Sequence, residues 1–456
     1  MEVVVHPAKA PLKGVIRLPG DKSISHRAVM LGAISEGVTE IEGFSSGADC
    51  GRTLEGIKAL GVQIEDVDGK LLVHGRGLRG LRAASEALDA GNAGTMMRLL
   101  SGILAGQNFE TVIGGDAYLN RRPMKRIIEP LRLMGAEVSG AEDEYPPLVI
   151  RGGTLRPISY RMPVASAQVK SCVLLAGLYA DGPTTVIEEA PSRDHTERML
   201  RAFGAEVIEK NARAGLRSED REAEVERRLR KLEGTSETAE FEIGVLGGPK
   251  LEGQRIGVPG DISAAAFFLV AGTIVPDSEL RLEGVGLNPT RKGIVDVLRR
   301  MGAKIEIEPE GESGGEPFGN LIVRGSELGR IRIGGALIPS LIDELPLLAV
   351  AATQVPGEVV IRDAQELRKK ETDRIRAVVE NLRKMGAKVG EMPDGLVIEG
   401  GRPLTGARVD SFGDHRIAMA FAVAGLVAEG ETVIQGAQWA DISFPGFFRI
   451  LEGLKS

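Results

Sequence analysis

The chain places cations where helices would begin, and such a placement can do chemistry. Asp21-Lys22-Ser23-Ile24-Ser25-His26-Arg27 follows Pro19-Gly20 and opens a helical run. Free backbone N–H groups, an ammonium, two hydroxyls and a guanidinium one turn on make an anion site. Lys369-Lys370-Glu371-Thr372-Asp373-Arg374 is the densest cluster, and the apolar stripe Ile375, Val378, Val379, Leu382 begins just after it. That spacing predicts a helical first turn with Lys370 and Arg374 on one face. Cations there oppose the helix dipole, a cost that a bound anion would offset. Gly413-Asp414-His415-Arg416 repeats the pattern. Leu341-Ile342-Asp343-Glu344-Leu345-Pro346 sets two carboxylates in apolar sequence, where partial burial would raise a pKa toward proton-transfer use.

Four further segments offer polar groups at turns and helix starts. Gly91-Asn92-Ala93-Gly94-Thr95-Met96-Met97-Arg98 precedes a helical run that Asn92 can cap, and Gly94 lets a ligand approach the backbone. It lacks the Gly-Lys-Ser/Thr of a Walker A loop and the dinucleotide GxGxxG, so a nucleotide is not implied. Arg121-Arg122-Pro123 reads as a basic loop, because proline holds the residue before it extended. Ser166-Ala167-Gln168 and Pro191-Ser192-Arg193 each precede a helix. Taken singly, every one of these segments also reads as a capped helix or a solvated turn. Together they distribute Lys and Arg at helix starts along the whole chain, which suits a substrate with more than one phosphate or carboxylate.

The elements that carry these segments recur. FGAEV (203–207), MGAEV (134–138), MGAKI (301–305), MGAKV (385–389) and the looser LGVQI (60–64) each read as a helix-ending glycine leading into a strand. Small-residue helices followed by a turn and a Thr/Val strand alternate with them, giving six units of strands and two helices. LPGDKS (18–23) and VPGDIS (258–263) mark two similar halves. The chain is expected to change domain at each PGD turn, with residues 1–19 joining 259–456 and residues 20–258 forming a central domain. A charged insertion is expected at about 211–236, since 11 of the 15 residues 217–231 are charged with mixed sign.

Composition narrows the classes. Of 456 residues 60 are Gly, aromatics are 4% and the net charge is −7, which argues against a stacking or broadly basic nucleic-acid surface. Two cysteines without paired spacing, Cys50 and Cys172, make a thiolate zinc site or a disulfide scaffold improbable. No apolar run is long enough to span a bilayer. A cytoplasmic monomer acting on small molecules is expected, with no metal, organic cofactor, nucleic acid or membrane partner.

The ordered set PGDKSISHRA, GNAGTMMRLL, GDAYLNRRPM, ASAQVKS, PSRDHTERML, LIDELP, KKETDRI and GDHRIAM resembles the 5-enolpyruvylshikimate-3-phosphate (EPSP) synthases, of the enolpyruvyl transferase family. The resemblance runs from about residue 10 to 450, interrupted by the charged insertion. It implies an α/β protein with two domains of three βαβαββ-type units each, an inside-out α/β barrel. It further implies transfer of the enolpyruvyl group of phosphoenolpyruvate to the 5-hydroxyl of shikimate 3-phosphate. The route is addition and elimination through a tetrahedral ketal phosphate, in the pathway to chorismate and the aromatic amino acids. Carried over by motif, shikimate 3-phosphate is held by Lys22, Ser23, Arg27, Ser166, Ala167, Gln168, Arg193, Asp343 and Lys370. Phosphoenolpyruvate is held by Lys22, Gly94, Arg122, Gln168, Glu371, Arg374 and Arg416. Asp343, Glu371 and Lys22 are the catalytic candidates. Gly94 implies a target of glyphosate, which occupies the phosphoenolpyruvate site in this family. Glu366 and Ile442 depart from members that carry Asn and Lys there.

Two other readings compete. UDP-N-acetylglucosamine enolpyruvyl transferase shares the fold and the transferred group, but usually carries Cys in the loop that here reads 115–123 without one, and Lys-Asn where this chain has Lys22-Ser23. A non-catalytic polyanion binder would also use the cations. It would have no use for Asp343 and Glu371 beside them.

Overall fold

A computed structural model describes residues 1–211 and 240–455. The charged insertion, beyond its first residue, lies outside them. The chain divides into two compact units. One comprises Met1–Pro19, Gly260–Gly311 and Pro317–Ser456, and the other, central unit comprises Gly20–Pro259 with Glu312–Glu316. The inclusion of Glu312–Glu316, the tip of a hairpin whose strands are Lys304–Ser313 and Glu316–Arg324, has no signal in the repeat spacing.

The second repeat of the central unit shows the building block. Leu88–Asp89 runs parallel to Glu110–Gly114, with the helix Gly94–Ala105 between them in sequence. The helix Lys125–Leu133 then leads to Glu137–Ala141, and Tyr145–Arg151 inserts antiparallel to both later strands. This is βαβαββ. The same order recurs with Ser159–Arg161, Pro183–Glu188, Val207–Asn211 and Phe241–Leu246, and with Arg332–Ile333, Gly357–Ile361, Lys388–Met392 and Gly395–Gly400.

The first sheet of each unit borrows its parallel strand from a distant part of the chain. Arg255–Gly257 lies beside Val38–Glu42 in the central unit. Lys13–Arg17 lies beside Glu279–Gly286 in the terminal unit. The sixth repeat is reduced to a three-stranded sheet of Glu2–Val5, Thr432–Gln435 and Arg408–Asp410, with a two-stranded ribbon of Leu404–Thr405 and Ala428–Glu429.

The repeated glycines act as the sequence implies. Gly61, Gly135, Gly204, Gly302 and Gly386 all have φ between 80° and 104°, so each ends its helix in a conformation costly for other residues. The small-residue helices are core elements. Every residue of Ile262–Ile274 is buried, and so are all but the first two of Ala167–Gly177. Close packing explains their composition. A Cβ on Gly32, Gly177 or Gly425 would lie 3.0, 2.7 or 3.1 Å from the Cβ of Thr39, Thr184 or Thr432, the buried threonine seven residues on. A larger residue would push helix from strand.

Candidate functional site

Both PGD turns cap a helix. Asp21 Oδ1 accepts from the Ile24 N–H at 2.9 Å, and Asp261 Oδ1 accepts from the Ser263 N–H at 2.8 Å. Such a cap is worth about 1 kcal/mol. In the central unit it orients the helix Lys22–Ile34, which begins with Lys22 and Ser23 and buries Arg27. Lys22 is ion-paired with Asp49. Arg27 is gripped by neutral groups. Its Nε donates to Thr196 Oγ1 at 2.7 Å, Nη2 to Ser171 Oγ at 2.7 Å and Nη1 to the Ser23 carbonyl at 3.0 Å. Burial lowers its pKa to about 10, with Glu197 opposing and Arg193 reinforcing the shift.

A second group in this unit surrounds Gly94. Ala93, not Asn92, stands at the start of the helix Gly94–Ala105 and gives no side-chain cap. Asn92 instead donates to Asp116 Oδ2 at 3.0 Å, an interaction across 24 residues that outcompetes the local cap. Arg98 Nη1 donates to Gln168 Oε1 at 2.8 Å, and Gln168 Nε2 donates to Thr95 Oγ1 at 2.9 Å. A Cβ on Gly94 would lie 2.9 Å from Arg98 Nη1 and 3.1 Å from Arg122 Nη1. Gly94, Arg122 and Gln168 are therefore neighbours. Arg122 has extended backbone just after the short helix Leu119–Arg121. Ser166 caps the helix Ala167–Gly177 through the Val169 N–H at 3.5 Å, so Ala167 and Gln168 begin that helix.

In the terminal unit Asp343, Lys370, Glu371, Arg374 and Arg416 converge. Asp343 Oδ1 lies 3.3 Å from Lys370 Nζ and 3.2 Å from Arg374 Nη1. Arg374 also donates from Nη2 to Glu371 at 2.6 Å and from Nε to Asp414 at 2.7 Å. Burial alone would weaken the Arg374 charge, but the carboxylates of Asp414, Glu371 and Asp343 outweigh it and raise the pKa. Arg416 Nη1 donates to the Asp343 carbonyl at 3.4 Å and lies 3.6 Å from Glu344 Oε1.

Two expectations change here. Lys370 and Glu371 precede the helix, which spans Arg374–Lys384 and is capped by Asp373. Lys370 and Arg374 therefore meet at Asp343, not along one helix face. The setting of Asp343 is also cationic, whereas the sequence suggested an apolar one; Glu344, fully buried, takes the Ser263 hydroxyl instead.

The sequence pattern did not single out Asp49, Arg98 or Asp414 for roles. Asp414 had a signal, since it directly precedes the helix His415–Gly425 and caps it through Arg416 and Ile417. Arg98 stands one turn after Gly94. Asp49 pairs across 27 positions and had none. Both cysteines are free and buried, and burial raises their thiol pKa values, Cys50 to about 12. Among the described residues no helix is long and apolar enough to cross a membrane, and no His/Cys/Asp/Glu group could hold a metal ion.

Six βαβαββ-type repeats in two units, with cations at helix starts and carboxylates beside them, define the two-domain enolpyruvyl transferase fold. The chain belongs to the EPSP synthase (3-phosphoshikimate 1-carboxyvinyltransferase) family, whose pattern it matches over residues 7–228 and 222–451. It is 50% identical over 454 residues to the 3-phosphoshikimate 1-carboxyvinyltransferase of Desulforamulus reducens, covering 99% of each chain. It is 51% identical over 441 residues to that of Brevibacillus brevis, covering 96% of this chain and 97% of the relative. A 2.37 Å structure of EPSP synthase from Acinetobacter baumannii superposes with a TM-score of 0.83 at 42% identity, covering 99% of this chain and 98% of that one.

Proposed function

We propose that the protein transfers the enolpyruvyl group of phosphoenolpyruvate to the 5-hydroxyl of shikimate 3-phosphate and releases phosphate. The observation that carries this reading is the convergence of Lys370, Arg374 and Arg416 on Asp343, with Glu371 held through Arg374, which sets carboxylates able to move protons among cations able to hold anions. The family and the names of full-length relatives favour shikimate 3-phosphate over UDP-N-acetylglucosamine as acceptor.

In this reading Lys22, Ser23, Arg27, Ser166, Ala167, Gln168, Arg193, Asp343 and Lys370 hold shikimate 3-phosphate. Lys22, Gly94, Arg122, Gln168, Glu371, Arg374 and Arg416 hold phosphoenolpyruvate. Guanidinium forks suit both, because carboxylate and phosphate oxygens accept paired hydrogen bonds. Asp343 takes the proton of the 5-hydroxyl as that oxygen bonds to C2 of phosphoenolpyruvate. Glu371 gives a proton to C3, then recovers one from it as the C2–O bond to phosphate breaks. Lys22 assists a transfer. The proton count closes: the one lent to C3 returns to Glu371, and the one taken from the hydroxyl leaves Asp343 with the departing phosphate, which is released protonated. Glyphosate is expected to compete at the phosphoenolpyruvate residues. The reading includes a cytoplasmic monomer, and sedimentation of the purified protein tests the second point.

Phosphate release from phosphoenolpyruvate, measured without metal or nucleotide, tests the whole. Release with shikimate 3-phosphate and none with UDP-N-acetylglucosamine supports the proposal. Release only with the sugar nucleotide overturns the acceptor, and silence with intact binding of both substrates overturns catalysis.

A further inference from the structure

One set of charges in the central unit lies outside the residues assigned to substrates. Lys170, Glu188 and Glu197 have side chains with no exposure at all. Lys170 Nζ lies 3.0 Å from Glu188 Oε1 and 2.7 Å from Glu197 Oε1. Arg27, also buried, is attracted by Glu197 and repelled by Arg193, so several charges share one interior region. Such an arrangement is a poor way to gain stability, because desolvation consumes most of the attraction and an apolar core of the same volume would do as well. Its geometry suggests another use.

The network fastens one residue from three sides. The Ser192 N–H donates to Glu188 Oε1 at 3.1 Å, the Ser192 hydroxyl to Glu188 Oε2 at 2.7 Å, and Lys170 Nζ donates to the Ser192 carbonyl at 3.3 Å. Arg193 is the next residue. Lys170 itself belongs to the helix Ala167–Gly177, whose start is Ser166, Ala167 and Gln168. Its neighbour Ser171 accepts from Arg27 and shares a 2.6 Å hydrogen bond with Thr196, which precedes Glu197 on the helix His195–Ala202. One ammonium thus registers the two backbone segments that carry Ser166–Gln168 and Arg193 in sequence, and the partners that hold Arg27.

We propose that Lys170, Glu188 and Glu197 are positioning residues for shikimate 3-phosphate, fixing the spacing of Arg193, Arg27 and the start of the helix Ala167–Gly177 without touching the substrate. The proposal rests on the substrate assignment given above. It weighs more on shikimate 3-phosphate, since of the residues assigned to phosphoenolpyruvate only Gln168 lies at the start of that helix, while Gly94, Arg122 and the terminal-unit cations do not bond to this network among the contacts described.

Lys170→Met alone strands two buried carboxylates and is expected to fold poorly. The test therefore uses Lys170→Met/Glu188→Gln, which removes one charge of each sign, and Glu188→Gln alone as a milder variant. Titration with shikimate 3-phosphate and steady-state kinetics are read together, with melting temperature as the fold control. The double variant is expected to weaken shikimate 3-phosphate binding at least tenfold and raise its KM in step. Its KM for phosphoenolpyruvate at saturating acceptor stays within about threefold of the parent, and Glu188→Gln falls between. Unchanged acceptor affinity overturns the proposal. So does an equal rise of both KM values, or a fall in kcat alone that tracks the melting temperature, because those describe general loosening. Arg27→Ala is measured alongside. If it leaves acceptor affinity intact, the substrate assignment itself fails and the proposal falls with it; if it weakens binding while the double variant does not, only the positioning role is lost.

Discussion

Arg27 and Arg374 are the same residue type at similar depth, 4% and 1% exposed, yet their pKa values move in opposite directions. In the central unit Arg27 is held by two hydroxyls and a carbonyl, so burial dominates and its charge is under-compensated. In the terminal unit Arg374 is boxed by Asp343, Glu371 and Asp414, and its charge is over-compensated. Burial by itself does not say what a buried cation is for; the charge of its partners does. A cation gripped by neutral groups gains from an incoming dianion. A cation gripped by carboxylates holds those carboxylates in place, which proton transfer needs.

Breaking the terminal side of this contrast should have the largest effect. Asp343→Ala is expected to lower kcat at least ~1000-fold, within the range for loss of a general base, while shikimate 3-phosphate binding weakens modestly. Near-parental turnover would remove Asp343 from the chemistry. Next, Arg374→Met leaves Asp343, Glu371 and Asp414 without their shared cation and should cost about 3–5 kcal/mol in denaturant unfolding. Arg27→Met strands no such box and should cost clearly less in stability, its loss appearing in acceptor affinity. Equal destabilisation by the two would erase the distinction.

A smaller effect is expected at Gly94. Gly94→Ala pushes its methyl against Arg98 and Arg122, whose flexible ends can yield, so the fold survives. The KM for phosphoenolpyruvate should rise roughly tenfold, about 1.4 kcal/mol, and glyphosate inhibition should weaken by more. Unaltered inhibition would detach glyphosate from this cluster.

The last prediction sharpens the contrast by pH and is read as a slope below neutrality. His26 is buried, with its pKa lowered to about 3 by burial first and Lys22 next. Its folded value lies below the unfolded one near 6.5, so the unfolded chain binds the extra proton. The contribution to stability is whole above pH 6.5 and is lost as pH falls from there toward 3. His26→Asn should flatten the unfolding free energy by close to one proton across that window. An identical slope in both proteins would contradict it.

Much of this architecture is legible in residues. The helix-ending glycines announce the repeats because their φ values admit few other residues, and Asp21 and Asp261 announce helix starts by side-chain chemistry that operates locally. Local rules also explain a miss: Asp373 is the cap, so the helix starts at Arg374 and leaves Lys370 outside it. What was not legible is pairing across distance. Nothing near Lys22 names Asp49, nothing near Arg374 names Asp414 forty positions on, and Asn92 gave up its cap for Asp116. The residues proposed to face the substrates sit in short motifs, while the groups that set their charge arrive from tens of positions away.

The borrowed strands impose an order on synthesis. The central unit is continuous apart from Glu312–Glu316, so nearly all its parts emerge together. Lys13–Arg17 must wait for Glu279–Gly286, and Glu2–Val5 for Thr432–Gln435. At ribosomal speeds those delays are roughly 13–53 s and 22–86 s, during which the earliest-made strands have no partner of their own. A nascent chain arrested shortly after Pro259 should already hold a protease-resistant central unit, with its leading residues still open to cleavage.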